Sequence, residues 1–235
     1  MILLYVPARA GSKGVKNKNM RLLNKKPLIT YTLEIVDSLV KEFGNKVFPF
    51  VSTDSEKIAH ICKDSNFTTE YRRPKKLSDD YSSITSGINH AVNWLEKKNV
   101  LVSSVLILQP TSPIRKPSDA IDLIDFFSKN NFESVFSVIP IKEHPNECLK
   151  IKDNSWEFII SPKKNQNRRQ DYDDDFYFID GSYYMASLDF IMNHDSLIIK
   201  KKSKPFILSN QFNIDIDNEE DLLLAEALLK TINKN

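Results

Sequence analysis

The apolar positions of this chain follow two alternating rhythms. Short continuous apolar runs, at 2–6, 47–51 and 105–108, are separated by longer stretches in which apolar residues recur near every third or fourth position. Runs of the first kind read as strands buried on both faces, and the second pattern as amphipathic helices. Leu28, Tyr31, Leu33, Ile35, Val36, Leu39, Val40 and Phe43 mark a first helix that Pro27 can open and Gly44-Asn45 can end. Pro49 puts the run at 47–51 near a sheet edge or at a bulge. Thr53 or Asp54 can cap a helix running through Cys62, 67–71 reads as a short strand, and 72–81 as a polar loop. Ser82 or Ser83 starts the helix that carries Ile84, Ile88, Ala91, Val92 and Leu95. The run at 105–108 predicts a central parallel strand, followed by a loop punctuated by Pro110, Pro113 and Pro117. Ser118 can cap a helix with Ile121, Leu123, Ile124 and Phe127 inward, and 134–139 is the next strand.

The rhythm breaks at Pro140. Residues 140–180 hold short pieces (148–151, 156–160 and 176–179) around an Asn-rich charged segment, 163–175. This predicts an inserted arm of hairpins, packed on something because it carries Trp156 and several other aromatics. A strand at 182–186, a short helix at 188–192, a strand at 206–208 and a last helix at 217–232 complete the chain. Strand and helix in alternation predict an α/β fold, a mostly parallel sheet with helices on both faces. One domain over 1–235, with an arm at about 140–180, suits this length.

Composition narrows the function. Lys plus Arg is 33 against 31 Asp plus Glu, a net charge of +2, so no general nucleic-acid binding is expected. Cys62 and Cys148 are too few for a zinc cluster or a disulfide framework and read as half-buried thiols. The apolar start is a strand and not a leader, and no run reaches membrane-helix length. A cytoplasmic protein is expected.

The chemistry gathers at two places. The first strand runs into Ala8-Arg9-Ala10-Gly11-Ser12-Lys13-Gly14-Val15-Lys16-Asn17-Lys18-Asn19. Two of only five glycines lie here, among Arg9, Lys13, Lys16 and Lys18. Glycine lets a ligand approach the backbone, and such a turn can aim several N–H groups at one anion. The spacing is not that of a Walker loop. The segment is therefore a phosphate binder or a plain solvated basic loop, and its place after a strand favours the first. The second place is Asp215-Ile216-Asp217, whose carboxylates share one side if the segment is extended. They can hold a metal, or Asp217 can simply cap the last helix.

The chain resembles the acylneuraminate cytidylyltransferases. Arg9 to Gly14 with Lys18-Asn19, Ser52-Thr53-Asp54, Arg73-Pro74, 80–83, 108–113, 168–171 and 214–217 match that family's motifs in order. The resemblance implies a Rossmann-like sheet of the nucleotide-diphospho-sugar transferase type, with a β-hairpin dimerisation arm and a homodimer. It implies transfer of CMP from CTP to a nonulosonic acid, with Mg²⁺. In that reading Arg9, Ser12, Lys13 and Lys18 hold the β- and γ-phosphates, and Asn19 meets ribose or base. Arg73, Ser82 and Ser83 serve cytosine and the α-phosphate. Asp215 and Asp217 hold the metal, with Asp215 also a candidate base. Gln109, Arg115, Lys142, Arg168 and Arg169 face the acidic sugar, the last two from the arm toward a partner's site. Asp180-Gly181 departs from the family's Asn-Gly, and Arg9-Ala10-Gly11 from its Arg-Gly-Gly. His60, His90 and His194 have no metal spacing, and His144 opens the arm. The competing readings are a Kdo cytidylyltransferase, a glycosyltransferase using Asp215-Ile216-Asp217, and a non-catalytic nucleotide binder. Sialic, legionaminic and pseudaminic acids share the carboxylate that these residues address.

Overall fold

The computed structural model describes residues 1–11, 14–64, 67, 70–79, 81–161, 175–208 and 214–232. Its frame is a six-stranded sheet: β1 (Ile2–Pro7), β4 (Val47–Ser52), β5 (Ser104–Ile107), β6 (Ser134–Pro140), β9 (Tyr177–Ser187) and β10 (Ser203–Ile207). The order across the sheet is β10-β6-β9-β5-β1-β4. β1 runs parallel to both β4 and β5, β10 runs parallel to β6, and β9 alone runs antiparallel to its neighbours. Minor strands β2 (Leu22–Leu23) and β3 (Lys26–Pro27) pair with each other, as do β7 (Leu149–Lys152) and β8 (Ser155–Phe158). The helices are α1 (Leu28–Phe43), α2 (Glu56–Ile61), α3 (Ile84–Glu96), α4 (Pro117–Asn130), α5 (Leu188–Asn193) and α6 (Glu219–Ile232).

Both faces of the sheet are covered, as the unbroken apolar runs require. Along β1, Leu4 and Val6 point into one core with α1 and α4, contributed by Leu33, Val36, Leu39, Leu123 and Ile124. Leu3 and Tyr5 point the other way, into a core with Ile88, Ala91, Val92 and Leu95 of α3 and Phe190 and Ile191 of α5. A third cluster joins Val15 of the first loop, Ile214 and Ile216 of the late segment, and Leu222, Ala225 and Leu229 of α6. Burying apolar side chains of this size stabilises by roughly 1.5–3 kcal/mol each. This third cluster therefore binds the two chemically interesting segments to one body.

Several local expectations are corrected. Ser55, not Thr53 or Asp54, caps α2 through Ile58 N–H at 3.3 Å. Thr53 is spent one step earlier, its Oγ1 accepting from Ser55 N–H. Phe67 and Tyr71 belong to no strand; both are buried as loop anchors. Pro117 is the first residue of α4, where its missing N–H costs little, and no side chain caps that helix, so Ser118 is not its cap. Pro27 precedes α1 and ends β3. Cys62 is fully buried and not half-buried. The pieces at 176–179 and 182–186 are one strand, β9, interrupted by a bulge. Phe136 faces Tyr184 but Val138 faces Ile179, so Ser137 alone spans Asp180 to Tyr183. Gly181 at φ 76° turns that bulge, and Ser137 Oγ hydrogen-bonds the buried Asp180 carboxylate and accepts from Tyr183 N–H at 3.0 Å.

Candidate active site

The order β4-β1-β5 places the fold's switch point at β1, and the first loop leaves the carboxyl end of that strand. A cleft of about 300 Å³ opens there, lined from three directions. Arg9, Gly11, Lys18 and Asn19 come from the first loop, Arg73, Asp79, Ser82 and Ile84 from the approach to α3, and Gln109, Pro110 and Thr111 from the end of β5.

Each group is held by a local device. Ala10 N–H donates to Asp54 Oδ1 at 2.7 Å, tying the first loop to the end of β4. Asn19 Nδ2 donates to the Arg9 carbonyl at 3.0 Å, closing the loop on itself. Arg73 is about nine-tenths buried, its N–H donating to the Thr53 carbonyl at 2.8 Å. Its Nε has no hydrogen-bond partner among the described residues. A buried guanidinium N–H left open beside a cleft is suited to a polar ligand. Ser83 caps α3 through Ser86 N–H at 3.1 Å, which does not prevent the same helix end from meeting a phosphate oxygen. Ser82 Oγ lies 2.7 Å from Asp79 Oδ1.

The late aspartates abut this cleft. Ile216 is fully buried, and its N–H donates to the Thr111 carbonyl at 2.9 Å, so Asp215 and Asp217 flank it on an extended segment and stay exposed. Lys18 Nζ donates to the Ile216 carbonyl at 2.5 Å and to Asp217 Oδ1 at 2.9 Å. The cap of α6 is Asn218: its Oδ1 accepts from Asp221 N–H, while Asp221 Oδ2 accepts from the N–H groups of Asn218 and Asp217. The Asp217 carboxylate is thereby left out of the capping. The protein mass around Asp215 raises its carboxyl above the ordinary range, with Asp217 adding to the rise and a Thr111 hydrogen bond and Lys18 opposing it. Gly181 lies beside Asp215: a Cβ there would make ordinary contact, 3.8 Å, with Asp215 Oδ2, so the φ of 76° at Gly181 and not the space calls for glycine.

The remaining expected residues fall in different places. Gln109 lines the cleft. Arg115 turns inward: it donates to the Ser182 carbonyl at 2.9 Å and to Thr32 Oγ1 at 2.5 Å, and its guanidinium stands 5.6 Å from the Tyr183 ring. Burial lowers its pKa, while Tyr183, Asp180 and Asp215 pull the other way. Lys142 is exposed in the loop after β6. Ser12, Lys13, Arg168 and Arg169 lie outside the described residues, as does Asp80. Asp79 and Thr111 were not singled out from the sequence as site residues. Asp79 accepts from Tyr81 N–H, Ser82 N–H and Ser82 Oγ, and those bonds, with Arg9 nearby, lower its carboxyl pKa. An Asp three residues ahead of a Ser at a helix entrance was the available signal.

In fold the chain resembles solved nucleotidyltransferases. A solved CMP:2-keto-3-deoxy-manno-octonic acid synthetase complexed with CTP superposes with a TM-score of 0.68, covering 98% of both chains at 15% identity. At that identity the likeness is one of fold. The cytidylyltransferase family model matches residues 3–173, and the chain belongs to that family. It is 33% identical to a CMP-N,N'-diacetyllegionaminic acid synthase of Legionella pneumophila, over 97% of this chain and 96% of that one. It is 26% identical to an N-acylneuraminate cytidylyltransferase of Streptococcus agalactiae, over 94% of this chain and 51% of the longer relative. Among the described residues no helix is long and apolar enough to cross a membrane.

Proposed function

We propose that this enzyme transfers CMP from CTP to the anomeric hydroxyl of a nonulosonic acid. The hydroxyl oxygen bonds to the α-phosphorus, the bond from that phosphorus to the α–β bridging oxygen breaks, and pyrophosphate leaves. The observation that carries the proposal is the convergence of Arg9, Lys18, Asn19 and Arg73 on one cleft whose edge is the Asp215–Asp217 segment. Most of the work is positioning and charge neutralisation, which these cations are placed to supply. In this reading Arg9 and Lys18, with Ser12 and Lys13, serve the β- and γ-phosphates. Arg73, Ser82 and Ser83 serve cytosine and the α-phosphate, and Gln109 faces the sugar, with Lys142, Arg168 and Arg169 expected to join it.

Asp215 and Asp217 fit Mg²⁺. They offer two hard oxygen donors on one side of an extended segment, next to a carbonyl that already attracts the Lys18 ammonium. Among the described residues no group of three or more His, Cys, Asp or Glu could hold a metal; phosphate oxygens and water complete the coordination in this reading. A cation held by Asp215 and Asp217 would supply charge neutralisation to triphosphate oxygens and a lowered pKa to a bound hydroxyl. In this reading Asp215, next to the metal position, is also the proposed acceptor of the sugar hydroxyl's proton. We further propose a homodimer built on the arm and a cytoplasmic location, where CTP is supplied.

The test is pyrophosphate release from CTP and Mg²⁺ with legionaminic, N-acetylneuraminic and pseudaminic acids and Kdo. Release with one or more of the nonulosonic acids, exceeding that with Kdo, is expected. The Legionella relative makes legionaminic acid the first to try. Release with Kdo alone would favour the smaller acid, and silence with all four would overturn the proposal.

A further inference from the structure

Gly87 is the one glycine of this chain that lies inside an α-helix, the first turn of α3. Glycine weakens a helix interior, so its presence needs a reason. The backbone gives none, because its φ is not positive. The space around it does. A Cβ at this position would stand 2.8 Å from Tyr5 Oη and 2.9 Å from one terminal nitrogen of Arg73. No carbon approaches either atom that closely, so both contacts must lengthen when a methyl group is added, by a shift of the side chains or of the first turn of α3. Tyr5 is fully buried, stacked at 6.2 Å on Phe50 in the core beneath α3, and has nowhere to go. Arg73 lines the cleft, and its guanidinium can yield toward it.

We propose that Gly87 is a positioning residue for the nucleotide: with Tyr5 it forms the seat that fixes the Arg73 guanidinium at the wall of the cleft. The inference rests on the reading that this cleft holds CTP. Gly87 itself touches no reacting atom; its effect passes through Arg73. The seat is shaped by the pair, since the phenol hydroxyl fills the side of the space that a side chain on α3 would otherwise occupy.

The test is steady-state kinetics together with calorimetric CTP binding on Gly87→Ala, Tyr5→Phe/Gly87→Ala, Arg73→Met and Arg73→Met/Gly87→Ala. Gly87→Ala is expected to raise the CTP KM and Kd by about tenfold, the scale of one misplaced polar contact, with the KM for the sugar acid and kcat within about twofold. Removing the hydroxyl in Tyr5→Phe/Gly87→Ala opens only the Tyr5 side and leaves the 2.9 Å contact with Arg73, so it should recover part of the CTP affinity. In the Arg73→Met background, Gly87→Ala should add nothing further. A folded Gly87→Ala enzyme with unchanged CTP affinity overturns the proposal, as does a loss that adds in full to that of Arg73→Met. Should Gly87→Ala alone fail to fold, the comparison of the two Arg73→Met proteins decides the question. Calorimetry reads the seat even if none of the tested sugars is turned over, so failure of the proposed reaction and failure of this inference are separable.

Discussion

Lys18 and Asp217 stand 199 residues apart in sequence and meet at 2.9 Å. The lysine is nearly enclosed, with 11% of its side chain exposed, and the aspartate is open, with 76% exposed. An ion pair that open contributes at most about 1 kcal/mol to folding. Its value lies in bringing the first loop against the carboxylate segment. Asp217→Ala should therefore lower Tm by no more than about 4 °C while cutting CTP-dependent pyrophosphate release at least about 100-fold. Differential scanning fluorimetry beside the release assay checks both. Equal and small effects on the two would mean that the pair is structural only.

Gly14 makes the same junction tight. A Cβ on Gly14 would overlap the Asp217 carbonyl oxygen, whereas one on Gly11 would meet nothing within 4 Å. Backbone cannot swing aside as a side chain end can. Gly14→Ala is expected to cost about 2 kcal/mol, or about 4–8 °C in Tm, by overpacking. Gly11→Ala should leave Tm within about 1 °C, since no strained backbone or crowded space is involved. Thermal melts of the two variants give the contrast, and equal melting points would refute it.

Much of this architecture was legible in the residues. Continuous apolar runs announced strands covered on both faces, and β1, β4 and β5 follow them to within a residue. Pro49 correctly marked β4 as an edge strand. The first loop was readable because strand, glycines and cations coincide. Which Asp or Ser caps a helix was less legible, because neighbouring candidates such as Thr53, Asp54 and Ser55 compete and tertiary bonds select one. The continuity of β9 was hidden, since a bulge at Asp180-Gly181 imitates a chain break. The inward turn of Arg115 was hidden too: nothing local to it reveals that Thr32 and the Ser182 carbonyl wait for it across the fold. Asp217 could be read as a helix cap, and only the Asn218–Asp221 pairing shows that another residue does that work.

Alkaline stability depends on several buried acids; Tyr71, Tyr183 and Tyr184 are raised by burial, and Tyr5 and Cys62 can be followed individually. Burial pushes the Tyr5 hydroxyl from 10.0 up to about 12 and the Cys62 thiol from 9.0 up to about 11. Between the unfolded and folded values the unfolded chain has released these protons and the folded chain has not. The unfolded state then binds fewer protons, so stability falls as pH rises. The loss should begin near pH 9 and reach about 2 kcal/mol from each group by pH 12. Urea unfolding at pH 8, 10 and 11 should show this decline, with Tyr5→Phe and Cys62→Ala each making it shallower. A pH-independent midpoint over that range would contradict the assignment. Below pH 9 Cys62 should also resist alkylation, leaving Cys148 as the thiol that reacts.

The hairpin of the arm has two unlike faces. Leu149 and Ile151 of β7 face Phe158 and Trp156 of β8, all apolar, while Lys150 faces Glu157 across an ion pair of 3.3 Å on the other side. Asp153 and Asn154, both at positive φ, make the two-residue turn that fits the twist of the strands. Yet Ile151 is 75% and Trp156 62% exposed, so among the described residues little of the chain covers this apolar face. An isolated two-stranded hairpin is marginal in water, and a face of this kind calls for a partner surface. The proposed homodimer supplies one. Ile151→Glu together with Trp156→Glu should convert a dimer to a monomer by light scattering at micromolar concentration. A pair of charges facing each other in a desolvated interface costs several kcal/mol, about a hundredfold or more in the dissociation constant. If residues of the arm complete the neighbouring site, the same variant should lose sugar turnover while keeping its affinity for CTP. A double variant that remains dimeric would place the interface elsewhere on the chain.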